Sequence, residues 1–118
     1  MSGIMQIIRD AITVGELNQI AAAGPFDKMV KAVVDIEREL IAIDAELHSD
    51  LEALLLEDAS QQKNLWGINF YPEVKGEGFI EFDSMINMRP SQGNRSRGVD
   101  DESIRRRITE ITAKKVLA

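Results

Sequence analysis

The sequence contains no cysteine, which excludes disulfide bonds, thiolate nucleophiles and thiolate metal sites together. No stretch reaches the roughly 18 apolar residues that a membrane-spanning helix needs. The first residues also lack the basic start and apolar run of a secretion signal. The motifs typical of phosphate-binding loops, dinucleotide-binding folds, serine hydrolases and zinc proteases are absent too. We therefore expect a cytoplasmic protein without a cofactor, and every enzymatic interpretation is weakened.

The residues that are present are typical of one folded domain. The chain has 118 residues, of which 44% are hydrophobic, and this is enough to bury a core without a metal or a disulfide. We predict a single α+β domain over residues 1–118, with the element order β-α-β-β-α-β-β-α. The sheet should be antiparallel or mixed, with helices packed on one face.

The first half of the chain contains two helix-start signals and one ambiguous segment. Residues 4–10 predict a strand, and Thr13 with Glu16 predicts a capped helix that ends at Gly24. Residues 28–47 fit either a helical heptad or a hairpin that bends near residues 37–39; the β-branched residues favour the hairpin. A second capping box at Ser49 and Glu52 predicts a helix over residues 50–59.

The second half predicts a hairpin and a final helix. Residues 65–72 and 79–90 alternate as strands around the glycine-containing turn EVKGEG. The helix from Asp100 to about residue 116 carries an apolar stripe of Ile104, Ile108 and Ile111 that should pack on the hairpin. Alternation along the second of these strands predicts one apolar face and one polar face. The apolar face consists of Ile80, Phe82, Ser84, Ile86 and Met88, and the polar face of Glu81, Asp83, Met85, Asn87 and Arg89.

Charge is distributed unevenly along the chain. Residues 1–88 contain 6 Lys or Arg against 16 Asp or Glu, whereas residues 89–118 contain 8 against 4. The basic end could bind nucleic acid or an acidic partner through the arginines between residues 89 and 107. Aromatic residues for base stacking are sparse, however, so we favour a basic end that packs beside the acidic body of its own chain or of a second copy.

The string INMRPSQGNRSR, with the preceding strands LWGINFYP and FIEFDSM, resembles a family of small bacterial proteins described only as a domain of unknown function. The resemblance extends from about Val30 to the last helix. It implies the fold and a bacterial origin, and it implies no catalytic residues.

The candidate binding surface combines the polar strand face with the loop that follows it. Its members are polar or charged and could hold a small polar ligand or a partner's side chains; they are Asn69, Tyr71, Asp83, Asn87, Arg89, Gln92, Asn94, Arg95 and Arg97. The alternative is that the face is only solvated and that hydrogen bonds fix the loop. We favour a fixed loop, with Arg95 closing a network with Gln92 and Asn94.

A weaker candidate is a metal site at Asp44, His48 and Asp50, because a histidine among carboxylates can hold a divalent cation. The spacing matches no specific metal motif, and we favour the simpler interpretation of a surface histidine in a capping segment. The sequence therefore favours a non-enzymatic interaction protein that self-associates or binds a protein partner. The alternatives are a metal-dependent hydrolase or nuclease and a nucleic-acid binder.

Overall fold

The computed structural model describes residues 4–118. The elements follow one another along the chain as β1 (Gln6–Ile8), β2 (Ile12–Thr13), α1 (Val14–Ala23), β3 (Val30–Asp35), β4 (Leu40–Ile43), α2 (His48–Glu57), β5 (Leu65–Phe70), β6 (Ile80–Glu81), α3 (Glu102–Lys115) and β7 (Val116–Leu117). No helix among the described residues has the length and the apolar composition to cross a membrane.

Five strands form an antiparallel sheet in the order β1-β4-β3-β5-β6. A separate two-stranded parallel ladder joins β2 to β7, with Ile12 opposite Val116. The predicted α+β class and the antiparallel sheet are therefore confirmed.

The ambiguous segment is a hairpin, as the β-branched residues indicated. Its bend lacks glycine, and the carboxylate of Asp35 provides the turn instead by accepting hydrogen bonds from the backbone N–H groups of Glu37 and Arg38 at 2.9 and 3.0 Å. Glu39 then takes a left-handed conformation with φ of 56°. A side chain stabilises this bend in place of the usual turn residues. The sequence therefore lacked a turn signal, and the helical alternative could not be excluded.

The two predicted capping boxes have different outcomes. The box at Thr13 is present, with Glu16 N–H donating to the Thr13 hydroxyl at 3.0 Å. The box at Ser49 is wrong, because α2 begins at His48 and its N-cap, Leu47, has no side-chain capping bond. The imidazole of His48 is buried and bound to the carbonyl of Ile68, so the first turn includes His48 and Ser49 lies inside the helix.

The helices cover both faces of the sheet, whereas the sequence predicted one. Helices α1 and α3 pack on the face formed by Ala32, Val34 and Ile68. Helix α2 packs on the opposite face against Val33 and Ala42. The reason is that β4 is apolar on both sides and Val33 of β3 adds to its second face, and a sheet that is apolar on both sides needs cover on both.

The strand predicted at residues 79–90 pairs with β5 as expected but ends at Glu81. Beyond it the chain turns at Ser84, whose backbone N–H donates to the carbonyl of Arg97 at 2.9 Å. Strict alternation therefore stops, and the polar face that we predicted as far as Arg89 does not form as a continuous strand surface. Helix α3 packs over the hairpin through Ile108 and Ile111, as predicted.

Candidate functional site

Strand β6 covers only part of the edge of β5, and side chains cover the rest. Asn87 is fully buried, and its amide bonds both backbone groups of Gly67: Oδ1 accepts from the Gly67 N–H at 2.8 Å, and Nδ2 donates to the Gly67 carbonyl at 2.9 Å. Nδ2 also donates to the carbonyl of Arg97 at 2.9 Å. The amide thus takes the place of one residue of a neighbouring strand, and edge groups that could recruit another chain are satisfied.

Arg89 completes the cover at the start of β5. Its two terminal nitrogens donate to the carbonyls of Gln62 and Leu65, each at 2.7 Å. The guanidinium carbon also lies 4.1 Å from the centre of the Trp66 ring, a cation–π contact. We call this region, residues 65–67 with Asn87 and Arg89, the capped edge.

Asn94 holds together the loop that carries these side chains. Its Nδ2 donates to the carbonyls of Asn87 at 2.7 Å and Gly98 at 2.9 Å, and its Oδ1 accepts from the N–H of Asp100 at 2.7 Å. Asp100 is held in turn by the Ser96 hydroxyl and the backbone N–H of Arg95, which keep the pKa of that carboxyl below its usual value. The loop is therefore fixed by internal hydrogen bonds.

The remaining loop candidates contribute little to this network. The side chain of Arg95 is exposed and makes no hydrogen bond or ion pair within residues 4–118, so our expectation that it closes the network is wrong. Gln92 is exposed, and its single contact, with the carbonyl of Lys63, is 3.5 Å long. Arg97 forms an ion pair of 2.8 Å with Asp83 at the surface. The buried amide of Asn94 closes the hydrogen-bond network of the loop, a role that we had predicted for the Arg95 guanidinium.

Asn69 and Tyr71 come together, as the alternation of β5 predicted, but their shared partner is Glu81. Asn69 Nδ2 donates to Glu81 Oε1 at 2.9 Å, and the Tyr71 hydroxyl donates to the same oxygen at 3.1 Å. Partial burial and this carboxylate together raise the pKa of Tyr71. Because Asn69, Asn87 and Asn94 are all buried, the predicted polar residues form an internal network instead of an open platform.

The predicted metal ligands do not form a site. Within residues 4–118, no group of three His, Asp or Glu side chains is arranged to hold a metal. His48 Nε2 lies 2.8 Å from the carbonyl oxygen of Ile68, which can only accept, so Nε2 carries the proton. Burial lowers the pKa of this histidine. Asp50 is exposed on the surface of α2, and Asp44 lies in the turn that precedes the helix.

The basic end packs on the acidic body, as we favoured. Glu39, at the tip of the β3–β4 hairpin, accepts from Arg107 at 2.8 Å and lies 3.2 Å from Lys114. Arg105 donates to the carbonyl of Val99 and Lys115 to that of Arg9. Of the six arginines between residues 89 and 107, Arg89, Arg105 and Arg107 are therefore held within the chain. The other three, Arg95, Arg97 and Arg106, are exposed.

A groove of about 890 Å³ lies between α3 and the segment 76–82. We call it the α3–β6 groove. Its floor is mainly apolar or small, formed by Phe79, Ile80, Phe82, Thr109, Thr112, Ala113 and Val116; charged residues at its rim are Glu77, Glu102, Arg105 and Arg106. The hydroxyl of Thr112, a buried residue, has no hydrogen-bond partner among the described residues.

Sequence reasoning missed this groove. Ile80 and Phe82 were assigned to the apolar face of a strand, and nothing local showed that α3 covers them only in part. The available signal was the side of α3 at positions 109, 112 and 113, which carries small side chains where a fully packed helix would carry large ones.

Comparison with known proteins gives one result. The model of the family described as protein of unknown function (DUF5674) matches residues 6–115, which is most of the chain. No curated protein and no solved structure matches. The capped edge and its loop contain the string INMRPSQGNRSR that suggested an uncharacterised family, and the chain belongs to the DUF5674 family.

Proposed function

We propose that this protein is a non-enzymatic interaction protein that receives a protein segment in the α3–β6 groove. The observation that carries the proposal is the groove itself, since its mainly apolar floor remains open beside a packed core. Pockets and clefts of this volume, apolar inside with a few polar groups, are typical binding sites. The charged rim around an apolar floor resembles the centre and periphery of a protein interface.

Exposed apolar side chains beside the groove extend this surface. Leu117 follows the groove-lining Val116 and is 48% exposed. Val74 lies against Gly78 in the turn above the groove and is 44% exposed. An apolar surface larger than the groove suits a macromolecular partner better than a small ligand.

The polar candidates support this choice by what they already bind. The amides of Asn87 and Asn94 and the guanidinium of Arg89 make most of their hydrogen bonds to backbone groups of this chain. A catalytic or ligand-binding group must offer atoms to a substrate. The cytoplasmic location and the bacterial origin remain predictions from the sequence.

The test is a selection of random peptides displayed on phage against the purified protein. We expect peptides with apolar anchors that bind the wild type and lose affinity by about tenfold or more for Ala113→Arg, because that arginine fills the groove floor. Ala53→Arg is the matched control, since Ala53 is also an exposed helix residue but lies on α2, outside the groove.

If no selected peptide distinguishes Ala113→Arg from Ala53→Arg, the groove is not the binding surface and the proposal fails. Calorimetric titration with manganese, magnesium and zinc tests the hydrolase alternative in parallel. Saturable binding of any of these ions would revive that alternative.

A further inference from the structure

We infer that the partner in the α3–β6 groove is the same region of a second copy of this chain, related by a two-fold axis. This inference rests on the proposed function and specifies its partner. In such an isologous contact each copy offers both the groove and the side chains that enter it. Two features of the surface support it: the charge of the rim and the exposed apolar residues beside the groove.

The rim is locally neutral on a chain that is strongly acidic. The net charge is −6, so two copies repel each other over most orientations. At the groove, however, two carboxylates, Glu77 and Glu102, accompany two guanidinium groups, Arg105 and Arg106. A neutral rim that carries both signs avoids the like-charge cost, and a two-fold rotation can place the glutamates of one copy near the arginines of the other.

Two of the four rim charges are loosely held within their own chain. Arg106 and Glu102 approach to 3.6 Å as a pair four residues apart on α3, and their side chains are 68% and 77% exposed. Exposed pairs of this kind contribute little to stability. Both side chains can therefore exchange their partner for one on a second copy with a small loss of folding energy.

The apolar residues beside the groove give each copy something to insert. Leu117, at the end of β7, and Val74, in the turn before β6, are exposed at the border of the groove. Under a two-fold operation, residues that border one groove face the floor of the other. A stable interface buries about 800 Å² on each partner. That is about an eighth of the 6502 Å² surface of this chain, so the contact must extend beyond the groove to the exposed residues around it.

The first experiment measures the mass of the wild type in solution by sedimentation velocity over a range of concentrations. We expect a dimer whose dissociation constant rises by about tenfold or more in Ala113→Arg and remains unchanged in Ala53→Arg. Both substitutions place a good helix former at an exposed helical site, so the melting temperatures should remain similar. A wild type that stays monomeric at every concentration overturns the inference.

The second experiment uses charge reversal and does not depend on filling the groove. Glu102→Arg makes the rim positive and Arg106→Glu makes it negative, so each variant alone should dimerise more weakly than the wild type. A mixture of the two should form heterodimers more readily than either forms homodimers, and the effect should diminish at high salt. The double variant, which restores both signs within one chain, should regain dimerisation.

The outcomes separate this inference from the proposed function. A monomer whose groove still selects peptides in an Ala113-dependent manner loses the inference and keeps the function. A dimer that is indifferent to Ala113→Arg and to both charge reversals self-associates elsewhere, which also overturns the inference. If peptide selection and dimerisation are both insensitive to Ala113→Arg, both proposals fail.

Discussion

The capped edge and the α3–β6 groove differ in how their side chains are used. In the capped edge, polar groups are buried and bonded to the backbone, as when Asn87 takes both groups of Gly67. In the groove, Phe79 and Phe82 are only partly buried, and no other part of residues 4–118 fills the space beside them. Conspicuous polarity in the sequence thus marks structure here, while the open groove is mainly apolar and inconspicuous in the sequence.

Among substitutions that test the difference between the capped edge and the groove, we expect the largest effect at Asn87. Replacing Asn87 by alanine leaves the buried N–H and carbonyl of Gly67 without partners, while the carbonyl of Arg97 keeps its bond from the N–H of Ser84. Each unsatisfied buried group costs about 1–3 kcal/mol. Because the site can relax or admit water, we expect a total loss of about 3 kcal/mol in the free energy of unfolding, measured with urea.

The control for Asn87 is Gln92→Ala, which removes an exposed amide from the same loop. Its contact with Lys63 is 3.5 Å long, so the loss should be within about 0.5 kcal/mol, as for most surface changes. Equal effects for the two amides would show that the capped edge contributes nothing special to stability.

The second largest effect is expected at Gly67, where the capped edge lies against Ser84. A Cβ atom added at Gly67 would lie 2.5 Å from the Cβ of Ser84, closer than packed atoms approach. We expect Gly67→Ala to cost about 2 kcal/mol, since overpacking in a core typically costs about 1–3 kcal/mol. In a double-mutant cycle with Ser84→Gly, the combined loss should be smaller than the sum of the two single losses.

Two of the three arginines of the loop, one partly buried against β5 and one exposed, are expected to differ in their effect on stability. Arg89→Ala should lower the free energy of unfolding by about 1–3 kcal/mol, because the carbonyls of Gln62 and Leu65 lose their charged donor. Arg95→Ala should change it by less than about 0.5 kcal/mol, because its side chain has no partner within residues 4–118. The reverse order in thermal melts would mean that Arg95 is the structural arginine after all.

The smallest effect is a pH dependence at His48, which lies against Gly67 at the capped edge. Burial favours the neutral ring and lowers its pKa in the folded state, while the unfolded value is about 6.5. The stability from this group is therefore fully present above pH of about 6.5 and is lost as the pH falls toward the folded pKa.

His48 is the only histidine, so the pH range between about 5 and 7 isolates its contribution. As the pH is lowered from about 7 to about 5, the free energy of unfolding of the wild type should decrease, and that of His48→Gln should remain nearly constant. An identical decline in both proteins would assign the pH dependence to other groups.

The sequence predicted the elements that depend on local patterns. The capping box at Thr13, the β3–β4 hairpin and the stripe of Ile108 and Ile111 each follow from residues within a few positions of one another, and all are confirmed. Local signals of this kind act through backbone geometry and side-chain periodicity, which a single chain displays directly.

The features that the sequence did not predict depend on distant partners. Asn87 hydrogen-bonds Gly67, which lies 20 residues earlier in the chain. Because side chains such as this one cover the rest of β5, strand β6 is shorter than predicted. Helix α2 begins at His48 for a similar reason, since the carbonyl that holds His48 belongs to Ile68. The groove exists because the helices cover less area than the sheet face presents. No local sequence pattern encodes that difference.

The β2–β7 ladder has a consequence for how this protein is made. Ile12 pairs with Val116, and Lys115 donates to the carbonyl of Arg9, so the last described elements hold the first ones in place. Contacts this distant along the chain slow folding, because a long loop must close before they form. During synthesis the five-stranded sheet can assemble early, whereas the ladder waits until Leu117 has left the ribosome. Until then α1 and the unfinished C-terminal segment expose apolar surface, the period in which a chaperone has most to bind.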